Sequence, residues 1–234
     1  MTANERAPEG DRDLAAVADR LAMPLEEAME TQRAVRKVLP DPVDDAIVVR
    51  CIELALRAPT GSNGQTWEFV VVKDPAIKAA FAKKYRQAWR LYGGSAERSG
   101  RSKDPAMAKV LGSVRWQVDH FEEIPVIVVP CLRTEAFAAQ RMPLGLGPQI
   151  GQSSFYGSIY PSVQNLLLAA RAMGLGASLI TMPLWSLRFA RKTLGLPMSV
   201  TPVCMVPLGW PRGRYGPTTR RPVGEVVHFD RYSS

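Results

Sequence analysis

Histidine and cysteine are scarce in this 234-residue sequence, and their scarcity excludes several chemistries at once. His120 and His228 are the only imidazoles, and Cys51, Cys131 and Cys204 lie far apart, so there is no Cys-x-x-Cys pair and no zinc-ligand spacing. Neither histidine stands beside an obvious nucleophile. The Gly-x-Ser-x-Gly elbow, the His-Glu-x-x-His helix and the Gly-x-x-x-x-Gly-Lys phosphate loop are all missing, which leaves hydrolase and nucleotidase chemistry without support. Long apolar runs are missing too: the stretch from Ile124 to Leu132 is the longest, far short of the roughly 20 residues a membrane helix needs. The N-terminus, with Asn4, Glu5, Glu9 and Asp11, is polar and acidic rather than a secretory signal. These absences predict a cytoplasmic protein with no membrane partner. Cys51 falls in a helical pattern and the other two in apolar strand-like runs, which suits buried free thiols in a reducing compartment.

What is present is core material. Hydrophobic residues make up 46% of the chain and charged residues 22%, which rules out disorder and coiled coil as the dominant state. A chain of this length buries about 70% of its surface without needing disulfides or a structural metal. The formal charge is +8. It is unevenly placed: residues 1–32 hold three basic and eight acidic side chains, and residues 73–119 hold eleven basic and four acidic. Those basic residues are interleaved with Ala, Leu, Trp and Tyr rather than gathered in one run. That pattern reads as solvated helix faces, with no nucleic-acid partner.

Along the chain, Leu14, Val17, Ala18 and Leu21 recur at helical spacing, and Pro24 opens a second short helix through Met29. Arg33 and Arg36, three apart, are predicted to share one side of that helix's end. Asp44 caps a helix with Ile47, Cys51, Leu54, Ala55 and Ala58 on one face, stopped by Pro59. A small polar loop, Thr60 to Thr66, permissive of positive φ, runs into a strand from Trp67 to Lys73. Residues 75–92 and 104–121 read as helices joined through a mobile connection at Gly93-Gly94-Ser95 and Ser99-Gly100. Ile124 to Leu132, uncharged and without alternation, predicts a strand buried on both faces.

Residues 133–158 contain four glycines and read as a long loop with room for one short helix. Pro161 then opens a helix with Val163, Leu166, Leu167 and Ala170 on one face, ended by Gly174. Ala177–Thr181, Val203–Leu208 and Val226–Phe229 read as strands, and Ser186–Leu194 as a capped helix. The sum is an α+β fold with one mixed central sheet flanked by helices. The domain division it suggests is an N-terminal helical extension over residues 1–28 and a single domain over 29–234. Gly145-Leu146-Gly147-Pro148-Gln149-Ile150-Gly151 is not a dinucleotide fingerprint, because its third glycine is one residue late and no clear strand precedes it.

The groups left over suit a phosphorylated aromatic cofactor. Arg33, Arg36 and Arg220 are guanidinium groups of the kind that hold a terminal phosphate by paired charge-assisted hydrogen bonds. Four places, in order, resemble the nitroreductase family of flavin mononucleotide (FMN) enzymes. Arg33-Ala34-Val35-Arg36 resembles the family's Arg-Arg-Ser-x-Arg element, and Ala58-Pro59-Thr60-Gly61-Ser62-Asn63-Gly64-Gln65-Thr66-Trp67 its Ala-Pro-Ser-x-x-Asn-x-Gln-Pro-Trp loop. Val163 to Ala170 with Gly174-Leu175-Gly176 is similar to its central helix and following turn. Leu208-Gly209-Trp210-Pro211 with Arg220-Arg221-Pro222 is similar to its C-terminal signature. Gln32 and Ala34 stand where the family often has Arg and Ser, Thr66 replaces a common Pro, and Thr218 stands where Lys is frequent.

The resemblance implies a nitroreductase-like sandwich in an intertwined homodimer with FMN at the interface and NADPH or NADH as electron donor. Arg33, Ala34 and Arg36 would meet the phosphate, ribityl chain or ring edge, with Arg220 closing on the phosphate. Thr60, Gly61, Ser62 and Asn63 would approach from the second subunit, and Ile180, Thr181 and Met182 would lie beside the ring, where a backbone N–H can donate to N5. The implied activity is reduction of nitroaromatic or quinone-like acceptors, the flavin carrying the chemistry and no side chain acting as nucleophile. Flavin destruction, reductive dehalogenation and flavin or nucleic-acid binding without turnover stay open as alternatives. Residues 86–115 and 133–160, with Trp89, Tyr92, Phe155 and Tyr156, read either as a substrate-facing lid or as ordinary loop packing.

Overall fold

A computed structural model describes residues 21–98, 103–133, 148–214 and 216–232, without the side chains of 94–98 and 148–152. Among the described residues six α-helices surround one five-stranded sheet. In chain order these are α1 (Leu25–Thr31), α2 (Asp45–Ala55), β1 (Trp67–Val72), α3 (Pro75–Arg98), α4 (Pro105–Asp119), β2 (Val126–Arg133), α5 (Pro148–Ala172), β3 (Gly176–Ala177), α6 (Leu187–Leu194), β4 (Val200–Pro202) and β5 (Val206–Gly209). The expected helix at Leu14–Leu21 begins outside the described residues. Ala28, the last residue of the expected extension, is buried in α1, which runs on across residue 29 to Thr31.

β2 is the spine. It pairs antiparallel with β1 in a register running from Trp67 opposite Leu132 to Val72 opposite Ile127, and on its other edge with β5 and then β4. β3 completes the sheet beside β5. All these ladders are antiparallel; the sheet is mixed only through a single parallel bridge between Ala34 and Ala177. Because successive side chains point to opposite faces, Val126, Val128 and Leu132 enter one core with α2 and α5, while Ile127, Val129 and Cys131 enter a second with α3, α4 and α6. The uncharged run is thus buried on both sides, as its composition predicts. All three thiols are free and buried, and burial pushes each up to about 12.

Five elements differ from expectation. Pro161 does not open a helix but lies inside α5. Phe155, Ile159, Val163, Leu166 and Ala170 form one continuous buried stripe at spacings of three and four. Burying that stripe offsets the roughly 3 kcal/mol an interior proline costs. α3 continues through Gly93, Gly94 and Ser95, where a mobile connection is expected. The expected strand Val203–Leu208 is strand only from Val206, and a separate short strand, β4, precedes it at Val200–Pro202; β2 changes partner between them at Pro130, which has no N–H to give and whose carbonyl accepts from Val203 N at 2.9 Å. β3 is shorter than Ala177–Thr181, continued only by the bridge between Ile180 and Met205. At the C-terminus Val223–Glu225 is a 3₁₀ turn and Val226–Phe229 is not a strand; Phe229 is 87% exposed with no edge to pair with.

Candidate functional site

The segment after α1 is extended rather than helical, which corrects the predicted placement of the two arginines. α1 ends at Thr31, whose hydroxyl donates to the Glu27 carbonyl and accepts from Arg171 Nε at 2.8 Å. The chain then runs alongside β3, with Val35 N donating to the Ala177 carbonyl at 2.8 Å. Gly176 permits this approach: a Cβ there would stand 2.6 Å from the Val35 side chain. In an extended chain residues 33 and 36 project to opposite sides. Arg33 lines a cavity of about 360 Å³ together with Arg171 and Arg214. Among the described residues no carboxylate lines it. Arg36 instead turns toward α4, its Nη1 donating to Ser113 Oγ at 3.2 Å.

Arg36 is half-buried, and no carboxylate among the described residues lies within ion-pair distance of it. Burial pulls its guanidinium below the ordinary value, with Tyr85 opposing that pull. A desolvated cation facing only a hydroxyl is costly in a folded chain unless an anionic or electron-rich ligand meets it. Beside it lies a polar chain that the sequence reading missed. Tyr85 OH donates to Gln117 Oε1 at 3.4 Å, and Gln117 Nε2 donates to Ser178 Oγ at 2.8 Å, all three residues almost fully buried. Burial pushes Tyr85 up to about 12. The available signal was faint: Ser113 and Gln117 are four apart on one helix and so share a face.

Ile180 N is already donated to the Met205 carbonyl at 2.9 Å, so an N–H offered to a ligand at this edge comes from Thr181 or Met182. Met182 begins a 3₁₀ turn, where N–H groups lack partners within the turn. The loop at 60–63 lies elsewhere, on α5. Gly61 N donates to Ser158 Oγ at 3.3 Å, and the Trp67 indole donates to the Ser158 carbonyl at 2.6 Å. Its left-handed residues are Ser62, Asn63 and Gln65, with φ of 52°, 52° and 46°, whereas Gly64 stays at −67°. Non-glycine residues held there cost of order 1 kcal/mol each and persist only where the surroundings impose them. Residues 61–65 are exposed.

Arg220 is exposed, its Nη1 donating to the Thr219 carbonyl. Two residues earlier, Thr218 donates both its N–H and its hydroxyl to the Glu30 carbonyl, at 2.9 and 3.1 Å, which ties the C-terminal segment to the end of α1 near Arg33. Thus one chain gathers Arg33, Ala34, Arg36, Ile180–Met182 and the Arg220 segment around the β3 edge. It holds Thr60–Asn63 apart, and neither the cavity at Arg33 nor that between α3 and α4 has loop residues in its wall. His120 serves packing: it stacks on Trp116 at 4.2 Å between centroids. Among the described residues no cluster of His, Cys, Asp or Glu could hold a metal ion, and no helix is long and apolar enough to cross a membrane.

The model of the nitroreductase family matches residues 29–210. The chain belongs to the nitroreductase family. That match includes the Arg33–Arg36 segment, the 60–67 loop and residues 180–182, and it stops before Arg220. A relative from Thermus thermophilus named NADH dehydrogenase is 30% identical over 198 residues, 84% of this chain and 91% of that protein. Among solved structures, an iodotyrosine deiodinase bound to FMN and 3-iodo-L-tyrosine has a TM-score of 0.66 at 19% identity, over 89% of this chain and all of the other. The NADPH:FMN oxidoreductase of Vibrio harveyi complexed with NAD⁺ has a TM-score of 0.65 at 21% identity, over 90% of this chain and 78% of the other. These two likenesses establish the nitroreductase fold, and membership makes the protein an oxidoreductase of this family.

Proposed function

We propose that the protein is an FMN-dependent oxidoreductase that takes electrons from NADPH or NADH and reduces nitroaromatic or quinone-like acceptors. The observation that carries this reading is Arg36: a half-buried guanidinium with no carboxylate partner among the described residues, on the same extended segment whose other side puts Arg33 into a cavity shared with Arg171 and Arg214. Three residues of extended chain span about 10 Å. Arg33, with Arg220 on the segment that Thr218 ties to the end of α1, suits the phosphate end of FMN, and Arg36 suits the electron-rich edge of the ring, with Ala34 between them. The N–H groups of Thr181 and Met182, for which no backbone acceptor is found among the described residues, suit the opposite edge. When bound, FMN supplies hydride acceptance from the nicotinamide and hydride or electron donation to the acceptor. The protein's own part is to bind, orient and polarise: a fixed cation favours negative charge developing on the ring, and an N–H donor holds the reactive edge in place.

The exposed loop at Thr60, Gly61, Ser62 and Asn63 is placed in this reading against the flavin of a second copy, in a homodimer. Its separation from the β3 edge within one chain supports that assignment, as do the exposed Tyr156 and Tyr160 on α5 beside it. Purified protein reconstituted with FMN tests the proposal. It should hold one FMN per chain, run as a dimer, bleach anaerobically with NADPH or NADH and recolour on adding a nitroaromatic or a quinone. Failure to retain FMN sinks it. A second reading, reductive dehalogenation, is favoured by the likeness to the iodotyrosine deiodinase. Halide release from an iodophenol by the bleached protein, without turnover of nitroaromatics, would decide for it.

A further inference from the structure

A second cavity, about 550 Å³, opens between α3 and α4, and the reading above does not use it. α3 gives it Arg86, Trp89, Arg90 and Gly93; α4 gives it Gly112, Arg115 and Asp119, the one carboxylate in the wall among the described residues. Two packed helices would ordinarily fill such a space with side chains. Here both walls carry glycine. A Cβ on Gly112 would meet nothing within 4 Å, and one on Gly93 would meet only the Trp89 ring, at 3.4 Å. The charges are not balanced. Arg86 is paired with Glu122, and Arg115 stands 3.7 Å from Asp119, but Arg90 has no carboxylate partner among the described residues. Trp89 is half-buried, braced by Tyr92 with ring centroids 5.8 Å apart. The space therefore combines an aromatic wall, glycine-lined room for something flat, and cations at its rim.

The cavity also adjoins the site at the β3 edge. Gly112 precedes Ser113, the acceptor for Arg36, and Val118 in the cavity lining follows Gln117. One helix, α4, faces the cavity on one side and Arg36 and Ser178 on the other.

We propose that this cleft binds an aromatic anion, at a site separate from the flavin. A planar ring stacks on Trp89 between Gly93 and Gly112, and its carboxylate or phenolate is held by Arg90 and Arg115. Guanidinium groups match a carboxylate in shape and charge, and the Trp face suits a ring. This assignment does not rest on the flavin-reductase reading.

The test is calorimetric titration of the full chain, both FMN-free and FMN-saturated, with 4-nitrobenzoate and with its uncharged isostere 4-nitrobenzamide. The expected result is binding of the anion about ten-fold or more tightly than the amide, in both forms of the protein. Arg90→Gln and Arg115→Gln should each remove most of that preference, and Gly112→Leu should abolish binding of both probes by filling the space. FMN affinity should be unchanged in all three variants, which also reports that they are folded. Equal affinity for the two probes, a preference that survives both arginine changes, or wild-type binding by Gly112→Leu would each overturn the proposal. Binding of 4-nitrobenzoate by a protein that cannot take up FMN would leave the cleft assigned and sink the flavin reading. FMN uptake without any preference for the anion would do the reverse.

Discussion

The two faces of the β-sheet share the residues of β2 between them, yet their interiors differ in kind. On the α2 and α5 side the core is built from Ile159, Val163, Leu166, Leu208 and their neighbours, and one buried hydroxyl, Ser162 Oγ, has no hydrogen-bond partner among the described residues. On the α3, α4 and α6 side Tyr85, Gln117 and Ser178 are linked inside the core, and Lys78 Nζ donates to the Ile124 carbonyl at 2.9 Å while burial pulls its amine down. Burying polar groups costs stability unless each is paired. The second face bears that cost where Arg36 comes in from the edge. The comparison teaches a division of labour: the apolar face supplies stability and mounts the 60–63 loop, and the polar face positions the charge proposed to meet a ligand.

The strongest attempt to break this division is Leu166→Ala. Leu166 is fully buried in α5, and its truncation should cost about 2–5 kcal/mol in chemical denaturation. FMN affinity of the molecules that remain folded should not change. If flavin titration finds affinity falling in step with stability, the two faces are one unit and the division fails. Next in size is Arg36→Ala on the other face. A hydrogen bond to a charged group contributes about 1.5–3 kcal/mol, so FMN affinity should fall roughly 10- to 100-fold. The thermal midpoint of the FMN-free protein should stay level or rise, because a desolvated cation without a carboxylate has been removed. An FMN-free protein that melts markedly lower would mean that Arg36 holds the fold rather than the ligand.

Gln117→Leu sharpens the comparison at smaller scale. Leucine nearly fills the space of glutamine but leaves Ser178 Oγ and the Tyr85 hydroxyl without their partner, a cost of about 1–3 kcal/mol. Ser178→Ala in the same background should restore part of that loss, since removing both partners of a buried bond is cheaper than removing one. Absence of any coupling in that cycle would show the chain of bonds to be incidental.

Local signals carried much of the fold and less of the site. The Asp44 cap on α2, with its carboxylate accepting from Ala46 N at 2.8 Å, and the left-handed Gly195 that ends α6 are local chemistry legible in a few residues. The burial of β2 on both faces was legible from its composition. The continuation of α5 through Pro161 was not, because it depends on tertiary burial of Phe155 and Ile159. The geometry of Arg33 and Arg36 was hidden for the same reason: the segment is extended only because it pairs with Ala177, far along the chain. The composition of the 60–66 loop was permissive of positive φ, but which residues adopt it, Ser62, Asn63 and Gln65 rather than Gly64, depends on contacts from Ser158 that no local pattern announces.

The smallest predicted effect concerns α3, where two adjacent glycines suggested a break and the helix continues. A glycine inside a helix is less favourable than alanine by up to about 1 kcal/mol, because its backbone loses more freedom on ordering. At Gly93 the added methyl would stand 3.4 Å from the Trp89 ring, an ordinary contact. Gly93→Ala should therefore raise stability by up to that amount in denaturant titration, with no change in FMN affinity, because the substitution touches the polar face only at its outer helix. A loss of stability would mean that the chain at Gly93 needs a conformation alanine cannot adopt, and the break implied by composition would return. The same variant bears on the cleft between α3 and α4. A methyl group at Gly93 narrows one wall without touching Arg90 or Arg115, so binding of 4-nitrobenzoate and of 4-nitrobenzamide should weaken together and the preference between them should hold. In that way shape and charge in the cleft become separable, as stability and ligand binding are across the sheet.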